Sequence, residues 1–125
     1  MREIKVTVGG KERKLRYDFN GLCDLERYLG SPMFHAIARL QHTPFADIRD
    51  FLWAGIQHEA DPAAATPKQV GEWLATELRA GRKLLDFQKA VDDALLQSGV
   101  FGDPETVGQK AAEDEQGNAP ASQPE

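Results

Sequence analysis

The hydrophobic residues at the start of the chain alternate with polar ones. Apolar side chains fall on every second position of two short segments separated by Gly9-Gly10: Ile4, Val6, Val8, Leu15 and Tyr17. A period of two is typical of strands with one buried face, and paired glycines suit the positive φ angles of a two-residue turn. The pattern predicts a β-hairpin over residues 2–17. Because an isolated hairpin is marginal in water, we expect its apolar face to pack on other elements.

After the hairpin the apolar spacing changes to three or four residues, which places those side chains on one face of a helix. In the first helix, Asp18 or Asn20 is placed to act as the N-cap, and the apolar face carries Leu22, Leu25 and Leu29. The pattern predicts helices over about residues 20–29, 32–41, 45–58, 67–80 and 82–98. Gly81 is compatible with a hinge, a C-cap or a tolerated glycine within one long helix. We therefore predict an α+β fold, with the hairpin packed on a small bundle of four to five helices.

Cap residues followed by proline mark three of these helix starts. Thr66 precedes Pro67, and Gln69 stands where a capping box needs it, so this is the strongest local signal in the chain. Ser31-Pro32 and Thr43-Pro44 follow the same order, a capping residue and then proline at the first helical position.

Composition separates the last part of the chain from the rest. A length of 125 residues with 41% hydrophobic residues suits one domain, which we place at residues 1–102. Residues 103–125 are poor in large apolar side chains and hold six acidic residues against Lys110, which accounts for the whole net charge of -5. Such a composition cannot bury enough surface to offset the entropy of ordering, so we predict a disordered acidic tail.

Charge, cysteine content and hydropathy indicate the cellular compartment of the protein and the classes of partner that it can bind. The first sixteen residues are basic, which suits either nucleic-acid binding or, as we favour, the protection of a sheet edge by charged residues. The single Cys23 excludes an intramolecular disulfide, and no apolar run approaches the roughly 18 residues of a membrane span. The start of the chain lacks the apolar core of a signal peptide. We expect a cytoplasmic protein without a membrane partner.

No set of residues carries a recognisable catalytic or metal-binding pattern. Cys23 lacks a neighbouring Cys/His signature, and we interpret it as a packing residue. His58, Glu59 and Asp61, with His42, match no ligand spacing of defined geometry. The paired Asp92-Asp93 is interpreted as a solvent-facing surface, and the glycines form no phosphate loop. We expect no enzymatic activity, no cofactor and no metal.

Two aromatic residues offer a candidate partner-binding surface. Phe51 and Trp53 flank the apolar stripe of the third predicted helix and widen its apolar face. Two interpretations carry equal weight: the wide face binds a partner helix, or the helix is central in the bundle and apolar nearly all round.

Four segments of the chain resemble a known family. They run Leu15-Arg-Tyr-Asp-Phe-Asn-Gly-Leu-Cys-Asp-Leu-Glu, Ser31-Pro-Met, Asp47-Ile-Arg-Asp-Phe-Leu-Trp-Ala-Gly-Ile-Gln-His-Glu and Thr66-Pro-Lys-Gln-Val-Gly-Glu-Trp-Leu. In this order they resemble the tail assembly chaperones of tailed phages, in particular the gene transfer agent type, some of which are labelled tail-tube components. The likeness covers residues 4 to about 98. Its signature residues are structural: Tyr17, Asp18, Phe19, Asn20, Leu22, Leu25, Leu29 and Thr66.

The resemblance implies a binding role in a phage or prophage, within the bacterial host cell. Such a chaperone would hold the tape-measure protein soluble, recruit tail-tube subunits and leave before the particle is complete. Homo-oligomers are compatible with this role. One alternative is a permanent structural subunit of the tail. A nucleic-acid-associated regulator is a weaker one, because the folded part is neutral and the tail is acidic.

Overall fold

The computed structural model describes residues 3–58 and 66–102. Its elements, in chain order, are β1 (Ile4–Val8), β2 (Lys11–Leu15), α1 (Phe19–Leu29), α2 (Met33–Leu40), α3 (Phe45–Ile56), α4 (Pro67–Arg79) and α5 (Leu84–Gln97). The predicted α+β fold is confirmed: an antiparallel hairpin is followed by five helices. The predicted acidic tail, residues 103–125, lies outside the described residues.

The hairpin turns at the two glycines that the sequence marked. Gly9 and Gly10 have φ angles of 65° and 82°, a region that side chains with a Cβ rarely enter. The register pairs Ile4 with Leu15 and Val8 with Lys11. The buried apolar side chains of the strands lie on one face, which packs against α3, α4 and α5. The hairpin is therefore one wall of the core.

Helix α3 lies at the centre of the fold and contacts β2 and all the other helices. Its inward residues are fully buried: Ile48, Phe51, Leu52 and Ile56. Two bonds connect this helix to the chain that leaves β2. The Tyr17 hydroxyl donates to the Phe51 carbonyl at 2.5 Å, and the Arg16 amide donates to the Gly55 carbonyl at 2.9 Å. The hairpin and the bundle are thus joined along α3.

The starts of the helices agree only in part with the predicted caps. Asp18 caps α1 by accepting from the Gly21 amide at 2.7 Å, and Thr66 caps α4 by accepting from the Gln69 amide at 3.2 Å. The predicted caps at Ser31 and Thr43 are wrong, because Pro32 and Pro44 stand at the N-cap positions of α2 and α3. The Met33 amide instead donates to a Glu26 carboxylate oxygen at 2.7 Å, because α1 lies beside the start of α2.

Gly81 separates two helices. Helix α4 ends at Arg79, and Gly81 then adopts a φ of 106° before α5 begins at Leu84. Of the alternatives that the sequence left open, the single long helix is therefore excluded. The buried face of α5 carries Phe87, Val91, Ala94 and Leu95, and Leu84 at its start is half-buried.

Candidate partner-binding groove

An open apolar groove lies where α1, the start of α2 and the chain after α5 meet. Its volume is about 360 Å³. We call it the aromatic groove, and its lining residues are Phe19, Leu22, Cys23, Glu26, Pro32, Met33, Phe34, Val100 and Phe101. Three of the nine are phenylalanines, so the groove can cover a large apolar side chain on several sides.

The first wall of the groove comes from α1. The Asp18 cap fixes Phe19 at the first position of the helix, where its side chain is 66% exposed. Cys23 and Glu26 follow at intervals of four and three residues, which places all three on one face. Phe19 is one of the signature residues expected to be structural, but its side chain faces outward, whereas those of Tyr17 and Leu25 are buried.

The second wall comes from the start of α2 and from the residues after α5. Phe34 is 73% exposed, and its ring meets that of Phe101 edge to face, with centroids 5.7 Å apart. A tight turn brings Phe101 into place, because the Ser98 hydroxyl donates to the Leu95 carbonyl and accepts from the Val100 amide. Sequence reasoning missed Phe34 and Phe101. Their partial exposure follows from contacts between distant segments.

The candidate residues proposed from the sequence lie elsewhere. Phe51 has no exposed surface and packs edge to face on Tyr17, with ring centroids 6.3 Å apart. Of the two interpretations, the one in which Phe51 contacts a partner is therefore wrong, because α3 is central and Phe51 lies in the core. Trp53 is half-buried and lies against Tyr28, with ring centroids 5.4 Å apart, outside the aromatic groove.

Cys23 is partly exposed in the groove. No His, Lys or Arg among the described residues lines the groove with it, so the lining provides none of the cations that typically lower the pKa of a reactive thiol. Its neighbours are apolar apart from Glu26. The position makes Cys23 a contact residue for anything that occupies the groove.

A second cavity, of about 330 Å³, lies between the strand ends and the last turn of α5. Charged residues of both signs line it, among them Lys14, Arg16 and Asp18. His58 also lines it, and its Nε2 atom lies 3.1 Å from the Lys14 carbonyl oxygen. Glu59 and Asp61, which were considered with His58 as metal ligands, fall outside the described residues. Within residues 3–58 and 66–102, no group of three His, Cys, Asp or Glu side chains is arranged to hold a metal.

Three ionisable groups are perturbed by burial, and none lies in the aromatic groove. Desolvation raises the pKa of Tyr17, and the nearby Asp92 raises it further. Desolvation also raises the pKa of Asp50, although Arg49 Nε donates to this carboxylate at 3.0 Å. The pKa of Asp92 is raised by partial burial and by Asp93 beside it. Asp50 is buried in the bundle, whereas Asp92 lies on the exposed side of α5.

The basic hairpin is partly neutralised by its own acidic residues. Lys14 pairs with Glu3 at 3.0 Å, and Lys5 lies 3.8 Å from both Glu3 and Glu12. Arg13 is only 3% exposed; its guanidinium stacks over the Trp73 ring, 4.5 Å from the centroid. A surface that faces nucleic acid would need these cations to be available to phosphates.

Comparison with known proteins gives no match to this chain among family models, curated proteins or solved structures. A search of the described helices finds none that is long and apolar enough to cross a membrane.

Proposed function

We propose that this protein is a non-enzymatic tail-assembly protein of a phage or prophage, a chaperone that binds the tape-measure protein through the aromatic groove. The proposal depends on the sequence positions of the residues that line the groove. Six of its nine lining residues lie in two of the segments that resemble the chaperone family: Phe19, Leu22, Cys23, Glu26, Pro32 and Met33. The segments that suggest the family therefore also build the open apolar surface.

Exposure of the aromatic side chains supports a binding role. Phe19 and Phe34 are each more than three-fifths exposed, although burying a phenylalanine side chain is worth about 1.5 to 3 kcal/mol. Exposed apolar side chains that cluster in a groove are typical of sites for another protein. An amphipathic helix laid into such a groove buries the apolar face that would otherwise drive aggregation. A chaperone of tape-measure helices needs this kind of surface and no catalytic group.

Co-expression with the tape-measure protein encoded in the same gene cluster tests the proposal. We expect the tape-measure protein to be soluble and to co-purify with the wild-type chain. Phe34→Ser should abolish the complex, because it removes a ring from the groove wall. Phe45→Ser is the matched control, since Phe45 is 76% exposed and does not line the groove.

Two results would contradict the proposal. If the tape-measure protein is equally soluble without this chain and no complex forms, the chaperone function is wrong. If a complex forms and both serine variants retain it, the partner binds somewhere other than the aromatic groove.

A permanent tail subunit is the second candidate, and the two-stranded sheet favours it to a limited degree. Within residues 3–58 and 66–102, each strand of the hairpin pairs only with the other, so each has an edge at which a strand from another subunit could pair. Quantifying the protein in purified particles separates the candidates. A stoichiometric amount supports a permanent subunit, and absence from the particles supports a chaperone that leaves.

A further inference from the structure

Among the described residues, the one charged side chain that lines the aromatic groove is acidic. Glu26 lies in its wall, and no Lys or Arg within the described part of the chain lines it. One carboxylate oxygen of Glu26 accepts from the Met33 amide at 2.7 Å. None of the ion pairs between described residues involves Glu26. An apolar groove therefore contains a carboxylate without a counter-charge.

The residues that follow the groove in the sequence also carry a net negative charge. Val100 and Phe101 line the groove, and after Gly102 the chain continues with six acidic residues against Lys110. The second cavity serves as a comparison within the same protein. It has a similar volume, yet Lys14 and Arg16 balance Glu3 and Asp18 in its wall. Of these two cavities, the aromatic groove is the one whose charged lining is acidic without a balancing cation.

We propose that the aromatic groove binds a helical segment that carries Lys or Arg beside an apolar stripe, and that it discriminates against the same segment with Glu in those positions. This inference rests on the proposed function, since it takes the groove as the partner site and names the chemistry of the partner. The apolar stripe contacts Phe19, Phe34 and Phe101, and a cation at its side meets Glu26. An ion pair strengthens when apolar contacts exclude water from it.

Two synthetic amphipathic peptides test the inference with the full-length chain. Both have the same leucine stripe; one carries Lys and the other Glu at the flanking positions. Fluorescence anisotropy measures their affinities. Cys23 reports where they bind: it is the one cysteine of the sequence, so reaction of its thiol with a chromogenic disulfide should slow when the groove is occupied.

We expect the Lys peptide to bind the wild-type chain about threefold to tenfold more tightly than the Glu peptide at low salt. High salt should reduce this ratio, because it screens exposed charges. Glu26→Gln should also reduce it while retaining an oxygen acceptor for the Met33 amide, and deletion of residues 103–125 should reduce it further. Phe34→Ser should weaken binding of both peptides, and Phe45→Ser should weaken neither.

Other outcomes overturn the inference. Equal affinities for the two peptides, or no slowing of the Cys23 reaction, would refute charge-selective binding in the groove. Tighter binding of the Lys peptide after deletion of residues 103–125 would identify the tail itself as the occupant. Self-association that Phe34→Ser abolishes, with no peptide binding, would identify a second copy of the chain.

The co-purification test and the peptide-binding test can fail independently of each other. If the peptides bind as expected but the tape-measure protein does not co-purify, the proposed function is wrong and the charge preference stands. If the tape-measure protein co-purifies and the peptides show no preference, only the charge preference is lost.

Discussion

Gly55→Ala tests how closely the hairpin is packed on the central helix. Gly55 lies in α3 beside the end of β2, and its carbonyl accepts from the Arg16 amide. A Cβ at this position would overlap the Leu15 Cδ1 atom and would lie 3.0 Å from the Tyr17 hydroxyl oxygen. Both neighbours are buried, and the Tyr17 hydroxyl is held by the Phe51 carbonyl. The added methyl group therefore has no space to occupy.

Two effects of opposite sign determine how much Gly55→Ala changes the free energy of unfolding. Overpacking of a closely packed core costs about 1 to 3 kcal/mol. Alanine stabilises a helix interior by up to about 1 kcal/mol relative to glycine, and by less in the last turn, where Gly55 lies. The steric effect is larger, so we expect a net loss of roughly 1 to 2 kcal/mol. For a domain of this size, each kcal/mol lowers the melting temperature by about 4 to 8 °C.

Gly71→Ala is the matched control, because it makes the same change inside another helix. A Cβ at Gly71 would lie 3.2 Å from Arg49 Cδ, in a side chain that is partly exposed and able to shift. Here the helix propensity should dominate, with a gain of up to about 1 kcal/mol. Thermal and urea denaturation of both variants provide the measurement. The packing argument is refuted if Gly55→Ala is as stable as the wild type, or if both variants shift in the same direction.

Three other predictions concern the core, the tail and the pH dependence. Leu25→Ala should lower the free energy of unfolding by about 2 to 5 kcal/mol in urea denaturation, because Leu25 is 1% exposed; a loss below about 1 kcal/mol would contradict its place in the core. Deletion of residues 103–125 should leave the melting temperature unchanged, since the described core runs from Val6 to Leu95; a large decrease would mean that the tail packs on the domain. The raised pKa of Asp50 means that the folded state holds this proton more tightly than the unfolded state does. Stability should therefore fall as the pH rises above about 4, the usual pKa of an aspartate, and Asp50→Asn should reduce that fall; an equal fall in the variant would contradict the assignment.

The elements that the sequence predicted well are those whose signals are local. The alternation of residues 4–8 and the Gly9-Gly10 turn define the hairpin without reference to the rest of the chain. Thr66 and Asp18 cap their helices through bonds to amides three residues away. Local patterns of this kind carry their own geometry, so helix and strand positions followed from them within a few residues.

The predictions from the sequence were wrong where contacts with another segment of the chain determine how a helix is capped or which side chains are buried. Ser31 does not cap α2, because Glu26 of the preceding helix accepts from the Met33 amide and Arg39 donates to the Ser31 hydroxyl. Whether Phe51 is buried or exposed also depends on the position of α3 within the bundle. A helix that is apolar nearly all round is either central or a docking surface, and periodicity alone cannot distinguish these cases. The groove was missed for the same reason, since Phe34 and Phe101 meet across 67 residues of sequence.

Helix α1 explains how one segment can both build the fold and present a binding surface. Leu22 and Leu25 are buried against the bundle, while Phe19, Cys23 and Glu26 face the aromatic groove. Leu22 also lines the groove floor, so the core and the groove share a side chain. Substitutions at Leu22 should therefore change stability and partner binding together, whereas Phe34 lies far enough out to change binding alone. Phe34, not a residue of the signature segment in α1, is consequently the position at which function can be tested without loss of the fold.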